Sequence, residues 1–392
     1  MNHPAPPPAL PHAAGADAFL GEAGALLGPR GLTTDPDLMQ PWLTDWRGRY
    51  TGRALALASP ASTAEVAALV KLCAAHRVPI VPQGGNSGMA GGATPDASGT
   101  AIILSLRRMN AVRSVSAENG QAVCEAGVIL QTLHEAAEAA GLRFPLTLGG
   151  KGSATIGGLI ATNAGGTQVL RHGTMRAQVL GLEAVLADGS VLDLMTPLKK
   201  DNRGFDLKQL LIGSEGTLGI VTAARLRLLP APGARATAWL GLPSITEAGR
   251  VLRHLQKLSG QYLEGFEVLP DQCLASVLAH LPGARAPLTE RCPWYALVEY
   301  VADTDDDDWL TKLLQDDLID AEAEGLATNG VIATSQRQAD ELWRLRDSIS
   351  AAERARGPAV QHDIAVPVDR MPDFILAAVP AIEAAFPGTQ AF

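Results

Sequence analysis

Several residues that anchor large functional classes are scarce in this chain. There are only four cysteines, Cys73, Cys124, Cys273 and Cys292, and no two of them form a C-x-x-C pair. That spacing excludes an iron–sulfur cluster and a cysteine-based zinc site, and it suits a reducing compartment. Each cysteine reads as a small buried hydrophobe. Positive charge is also short: 32 Lys and Arg against 41 Asp and Glu leave a net charge of −9. Nucleic acid and anionic membrane, which both select a basic face, are therefore not the main partners. No apolar run approaches a membrane span. The opening MNHPAPPPALPHAAGADAF has no positive n-region and no long apolar core, so it is not a signal peptide. Its prolines read as a loose arm, and the expected location is cytoplasmic. The usual nucleotide fingerprints are missing too. No G-x-G-x-x-G follows a strand, and there is no G-x-x-x-x-G-K-[ST] loop.

Glycine, by contrast, is abundant and unevenly placed. Sixteen of the 40 glycines fall in three short clusters: Gly84 to Gly92 (GGNSGMAGG), Gly149 to Arg176 (GGKGSATIGGLIATNAGGTQVLRHGTMR), and Gly213 to Gly219 (GSEGTLG). Loop glycines usually scatter singly as punctuation. Clusters imply that the backbone itself touches something, because glycine lets main-chain N–H groups approach a phosphate with no Cβ in the way. Few Lys or Arg accompany them, so the implied ligand is large, mostly uncharged and carries a diphosphate, as a dinucleotide does.

At 392 residues, 47% apolar and 19% charged, the chain has the composition of an ordinary globular protein with room for two domains. The pattern predicts a short strand over 54–58 and a helix opened by the capping-box spacing Ser62 to Glu65. A strand over 78–82 then feeds into the first cluster, so a β-α-β unit delivers a glycine loop at a strand's C-terminal end. Further strands are expected over 102–106 and 122–126, and a helix over 130–140. Asp188-Gly189 marks a hairpin between 182–186 and 191–194, and a strand over 220–229 stops at Pro230-Ala231-Pro232-Gly233. Beyond that stop, strands are expected over 238–242, 262–269, 294–301, 330–334 and 360–366. Helices are expected over 245–259, from Trp309, and over 339–356 and 371–386. The run Asp305 to Asp308 is assigned to a helix N-terminus, where acidic residues complement the dipole. The domain expectation is an arm and lead-in over 1–40, a first domain over 41–232 and an α+β second domain over 233–392.

The three clusters, with the segments PQGGNSGMAGG, VLGLEAVLADGSVLDLMTPLKKDNRGFDLKQLLIGSEGTLGIVT and ELWRLRDSI, resemble the FAD-linked oxidoreductases of the vanillyl-alcohol oxidase and p-cresol methylhydroxylase type. Within them the similarity is greatest to D-2-hydroxyglutarate dehydrogenases and FAD-dependent D-lactate dehydrogenases. The resemblance implies an α+β fold: a two-subdomain FAD-binding domain, then an α+β substrate or cap domain that is incomplete here. It implies non-covalent FAD held by Pro82, Gly84, Gly85, Asn86, Ser87 and Met89 of the first cluster. Gly149, Gly152, Ser153, Ile156, Gly157, Gly158, Asn163 and Gly165 of the second would contribute, with Glu215, Gly219 and Ile220 of the third. Lys151 is open between neutralising phosphate and simple solvation, and His172 is read as structural or cofactor-lining.

For the substrate, the resemblance implies that Arg346 captures a carboxylate beside Ser350, with Trp343, Arg346 and Ser350 at i, i+3 and i+7 on one helix face. A second, lysine anchor of the family stands here as Gln361, so either the substrate bears one carboxylate fewer than 2-hydroxyglutarate or its second acid group is held elsewhere. The implied reaction is oxidation of a D-2-hydroxy acid to the 2-oxo acid. Its electrons would go to a non-NAD acceptor such as an electron-transfer flavoprotein, a quinone or a cytochrome; a homodimer stays open. Thr389 to Phe392 reads as the start of a strand. In the family a G-H-x-G-D-G-N-x-H motif follows, supplying the base and the ligands of a divalent metal, usually zinc. None of the eight histidines here forms a ligand-spaced pair, so the chain is read as C-terminally truncated, with its catalytic residues unassigned. Two other readings stay open: a non-catalytic flavin-binding protein, and an FAD-dependent reductase of the UDP-sugar type.

Overall fold

The computed structural model describes residues 13–198 and 200–392. The chain divides into two compact units, Met1–Gly166 with His172–Ala231, and Thr167–Arg171 with Pro232–Phe392.

In the first unit, β1 (Leu32–Thr33), β2 (Ala56–Ala58), β3 (Ile80–Gln83) and β4 (Ile102–Ser105) form a sheet of order β1-β2-β4-β3. β2, β4 and β3 run parallel, so β4 lies between the two strands of the β-α-β unit. Strands such as Ile102–Ser105, buried on both faces, read as unbroken apolar runs. The crossover helix Thr63–His76 starts at Ser62, whose hydroxyl accepts from Glu65 N at 3.2 Å, and ends at Arg77 in the left-handed region (φ 55°). It buries Val66, Leu69, Val70 and Cys73.

The loose arm expected at the N-terminus is corrected from residue 13 onward; its first twelve residues lie outside the described residues. Ala13–Leu27 is a helix whose Phe19, Ala23 and Leu27 enter the core. Their i, i+4, i+8 spacing gives it one apolar face, and burial of that face outweighs the proline-rich composition upstream.

A second, antiparallel sheet contains β5 (Val112–Ser116), β6 (Gln121–Glu125), β8 (Val179–Leu186), β9 (Val191–Asp193) and β10 (Gly219–Arg227), in the order β5-β6-β10-β8-β9. β7 (Leu142–Arg143) pairs with β11 (Leu229–Pro230). β8 and β9 are joined across Asp188-Gly189, where Gly189 takes φ 74°. The thiols of Cys73 and Cys124, and of Cys273 in the second unit, are pushed up to about 12 by burial. All four cysteines are free and buried.

The second unit is an antiparallel sheet of β12 (Ala234–Leu242), β13 (Leu263–Pro270), β14 (Trp294–Ala302) and β15 (Asn329–Ile332), ordered β13-β14-β12-β15. Side-chain alternation divides its faces. Ala236, Ala238, Leu240, Ala296, Val298 and Tyr300 pack with helices Ile245–Ser259 and Asp307–Ala323. Trp239, Leu269, Tyr295 and Leu297 pack with helices Asp271–His280, Gln336–Asp347 and Ile349–Arg356. Asp306 caps the helix Asp307–Ala323 by accepting from Trp309 N at 2.8 Å, so the acidic run opens a helix.

Three expected elements differ. Residues 360–366 are irregular, with Val360 and Ile364 exposed, and 389–392 form no strand. Strand propensity is realised only where a sheet edge accepts the segment, and no such pairing exists among the described residues. The expected helix over 339–356 is two helices, broken at Ser348.

One buried pair supports a stability prediction. The Tyr300 hydroxyl donates to Asp317 Oδ2 at 2.7 Å, and both groups are buried. Burial, reinforced by the Asp317 carboxylate, raises the phenol's pKa, so it stays a donor. Tyr300→Phe is expected to lower unfolding free energy by about 1–3 kcal/mol, because Asp317 loses a donor where water does not replace it. The check is a shift in the urea midpoint at unchanged slope.

Candidate cofactor and substrate sites

The three glycine clusters meet in the first unit. A Cβ on Gly85 would stand 1.7 Å from the Ser153 carbonyl oxygen, and one on Gly84 would stand 2.4 Å from Thr155 Oγ1. A Cβ on Gly216, which has φ 79°, would be 3.0 Å from Pro82 Cγ, and one on Gly92 would be 3.3 Å from Glu215 Oε2. The loops therefore lie against one another, backbone to backbone at Gly85 and backbone to side chain at Gly84, Gly216 and Gly92. Thr155 caps the helix Ile156–Ala161. Gly157 donates to Ala126 O at 2.7 Å, which docks the helix on the end of β6. Past the helix, Asn163 takes φ 48°, and its Oδ1 accepts from Thr174 Oγ1 and Arg176 N, both at 2.9 Å. Glu215 takes φ 52° and donates its N–H to Ala161 O at 2.8 Å.

These contacts sort the expected cofactor residues. Gly84, Gly85, Gly157 and Gly219 make room for protein, and Ile156 and Ile220 are core side chains. The Asn86 amide donates to Thr44 O at 2.8 Å from a left-handed backbone (φ 49°). Met89 is exposed, with its sulfur against Arg47. Gly88, Gly149 and Gly152 differ: nothing lies within 4 Å of where their Cβ would be, and Gly158 would meet only Thr155 Oγ1 at 3.3 Å. There the backbone faces open space unscreened, as phosphate or a flat ring requires. Ser87 lies beside Gly150, Ser153 is exposed in the same segment, and Gly165 follows in the loop before the helix Val169–His172. Lys151 is exposed, and the His172 carbonyl accepts from Gln178 Nε2 at 2.5 Å.

Two contributors escaped the sequence reading. Gln83, buried at the end of β3, donates to Trp42 O at 3.0 Å and Ala93 O at 2.7 Å, while its Oε1 has no partner. Arg176 Nη1 donates to Gln209 O at 2.8 Å and its Nη2 to Ile212 O at 2.5 Å, tying the end of the second cluster to the start of the third. The arginine that closes HGTMR was the available signal.

In the second unit, Arg346 sits in the last turn of the helix Gln336–Asp347. Its Nε and Nη2 both donate to Glu267 Oε2, at 2.9 and 2.7 Å, and Nη1 reaches Asp347 Oδ1 at 3.4 Å. Trp343, one turn earlier, donates Nε1–H to Glu299 Oε1 at 3.0 Å. Ser350 is half-buried on the next helix, so the expected single face carrying Trp343, Arg346 and Ser350 is corrected: the Ser348 break separates the third residue. Gln361 Nε2 donates to Glu353 Oε2 at 2.8 Å. Sequence reasoning missed Glu267 and Glu299, although both interrupt a face otherwise made of Trp239, Leu269, Tyr295 and Leu297. No three His, Cys, Asp or Glu side chains stand together as a metal-ligand set among the described residues, so the chemistry of the donors present does not fit a resident metal. No helix among them is long and apolar enough to cross a membrane.

The chain carries the two domains of the FAD-linked oxidase type. Residues 54–195 match the FAD binding domain family, and residues 231–386 match the C-terminal domain of FAD linked oxidases. The fold is similar to that of an alkyldihydroxyacetonephosphate synthase (TM-score 0.72, 19% identity, 95% of this chain and 76% of that one). It is also similar to p-cresol methylhydroxylase with substrate bound (TM-score 0.69, 18% identity, 86% and 70%). Sequence similarity is more specific. The chain is 37% identical to D-2-hydroxyglutarate dehydrogenase of Xanthomonas citri pv. viticola, over 91% of this chain and 73% of that protein. It is 40% identical to the mitochondrial D-2-hydroxyglutarate dehydrogenase of Bos taurus, over 88% of this chain but only 63% of the bovine protein. The chain belongs to the D-2-hydroxyglutarate dehydrogenase family of FAD-linked oxidoreductases. The cytoplasmic expectation is corrected by the same comparison, since the relatives from cattle, rat, rice and Arabidopsis thaliana are mitochondrial proteins.

Proposed function

We propose that this chain binds FAD non-covalently and serves in the oxidation of a D-2-hydroxy acid to its 2-oxo acid. The observation that carries the reading is the convergence of three glycine clusters on a backbone left unscreened at Gly88, Gly149 and Gly152, within a chain of this family. Pro82, Gly84, Gly85, Asn86, Ser87 and Met89 would form one wall of the cofactor site. Gly149, Gly152, Ser153, Ile156, Gly157, Gly158, Asn163 and Gly165 would form the second, and Glu215, Gly219 and Ile220 the third, with the two isoleucines contributing backbone. FAD held by these residues would supply a two-electron acceptor for the hydride lost from C2 of the hydroxy acid.

The chain's own contribution to the substrate is a charged anchor. Arg346 would take a carboxylate, with the Ser350 hydroxyl as a neighbouring donor. Gln361 brings no charge and is engaged by Glu353, which favours an acid whose second carboxylate does not depend on it. The base that receives the hydroxyl proton is not assigned among the described residues, and no step is routed through a metal. Electrons would pass on to an electron-transfer flavoprotein, a quinone or a cytochrome, since no nicotinamide fingerprint accompanies the flavin loops.

The purified chain is expected to be yellow, to release FAD on denaturation, and to bind D-lactate, D-2-hydroxyglutarate or their 2-oxo products with a change in the flavin's visible spectrum. Failure to take up FAD at high micromolar concentration, or spectral indifference to every acid of the set, would sink this reading. Rapid NADPH oxidation would favour the UDP-sugar reductase alternative.

A further inference from the structure

We infer that Glu267 is a positioning residue for the Arg346 anchor, holding the guanidinium side-on so that its end stays available to a substrate carboxylate. The inference rests on the function proposed above. A guanidinium carries five N–H donors in a fixed plane. Glu267 Oε2 takes two of them, the Nε–H and one on Nη2, at 2.9 and 2.7 Å. Asp347 takes at most one, on Nη1, through a long 3.4 Å contact. One N–H of Nη1 and one of Nη2 remain, and side-on capture by Glu267 leaves free the end of the fork, where Nη1 and Nη2 carry a parallel pair of N–H groups. That is the pair that binds a carboxylate bidentately. Side-on capture by one oxygen and end-on capture by another molecule use different edges of the same group, so Glu267 need not leave for the substrate to arrive.

The supporting geometry extends beyond this one contact. Gly265 is paired with Glu299 across β13 and β14, and Glu267 with Leu297, so Gly265, Glu267 and Glu299 share the face on which helix Gln336–Asp347 lies. The Trp343 ring would lie 3.5 Å from a Cβ on Gly265, and its Nε1–H is bonded to Glu299 Oε1 at 3.0 Å. Glu299 also stands 3.6 Å from Arg235 Nη1. Trp343 and Arg346 are one helical turn apart, so docking the indole fixes the register in which Arg346 meets Glu267. Without Glu267, a half-exposed arginine at the end of a helix would sample several rotamers and lose that ordering on binding.

Removing Glu267 has two opposed effects. Loss of ordering weakens anion binding, and loss of a nearby negative charge strengthens it. The Gln variant separates them, because its amide oxygen still accepts from Nε and Nη2 while the charge is gone. The test is calorimetric titration of the FAD-loaded chain with 2-oxoglutarate and with D-lactate, for wild type, Glu267→Gln, Glu267→Ala and Arg346→Ala, with FAD content and melting temperature recorded for each. Glu267→Ala is expected to raise Kd roughly 3- to 10-fold at unchanged FAD content. Glu267→Gln is expected to bind as wild type or more tightly. A merely structural role would move the melting temperature and leave the Kd values level. Binding by Glu267→Ala as tight as wild type, or tighter, overturns the inference and makes Glu267 a bystander or a competitor for the guanidinium. Wild-type affinity in Arg346→Ala would instead overturn the anchor itself, so the two failures are distinguishable.

Discussion

Gly85→Val is expected to give a chain that carries no FAD. The Cβ would lie 1.7 Å from the Ser153 carbonyl oxygen, 2.5 Å from its carbon and 3.2 Å from Ala154 N. All three are backbone atoms, so no rotamer change relieves the overlap. Ser153 and Ala154 are themselves fixed by N–H bonds to Gly150 O at 3.0 and 2.9 Å, and the next residues begin a helix docked through Gly157. Either the first loop lifts away from the second segment or the helix moves, and both open the cradle. A clash of this kind belongs with the rare substitutions that cost more than about 4 kcal/mol. Flavin absorbance of the purified variant, beside its thermal melt, measures both consequences. Gly152→Ala is the contrasting variant: its Cβ meets no protein atom within 4 Å, so the fold should keep its melting temperature. If that backbone faces the cofactor, FAD affinity alone should fall. Retained stoichiometric FAD in Gly85→Val would refute the loop-on-loop cradle.

That contrast also marks how far the site could be read from sequence. The order of the glycine clusters, the strand that delivers the first of them and the Asp188-Gly189 hairpin follow from local periodicity and turn chemistry. What each glycine is for does not. The atoms that require glycine at positions 84 and 85 belong to Thr155 and Ser153, some seventy residues on, and no local pattern links them. A glycine needed for close packing and one needed for a ligand look alike in sequence. Asn163 is a similar case: nothing in the local pattern shows that its Oδ1 accepts from Thr174 and Arg176 and so braces two segments. The segment 360–366 shows the opposite weakness. Its alternation is strand-like, but a strand exists only where a neighbouring edge has unpaired groups to offer, and those belong to the tertiary structure.

Arg346→Ala is expected to weaken binding of 2-hydroxy and 2-oxo acids by about 30-fold or more while leaving FAD content near wild type. The residues proposed to hold FAD lie in the first unit, whereas Arg346 and its partners Glu267 and Asp347 all belong to the second. Truncating one member of a desolvated, charge-assisted contact costs about 2–5 kcal/mol, or roughly 30-fold to a few thousand-fold in Kd. Arg346 is only partly buried, with its side chain 33% exposed, which places the expected loss toward the lower end of that range. The variant carries a second consequence. Glu267 loses its side-on partner, and a carboxylate on the helix-covered face now repels the incoming anion that the guanidinium used to attract. The double variant Arg346→Ala with Glu267→Gln should therefore recover part of the affinity. Arg346→Lys should recover less than its charge suggests, because an ammonium supplies neither the side-on nor the end-on pair of N–H groups. Titration of the flavin spectrum with 2-oxoglutarate across these variants gives the ordering directly. Equal affinity in wild type and Arg346→Ala would show that the pair with Glu267 is only a bond between helix and sheet.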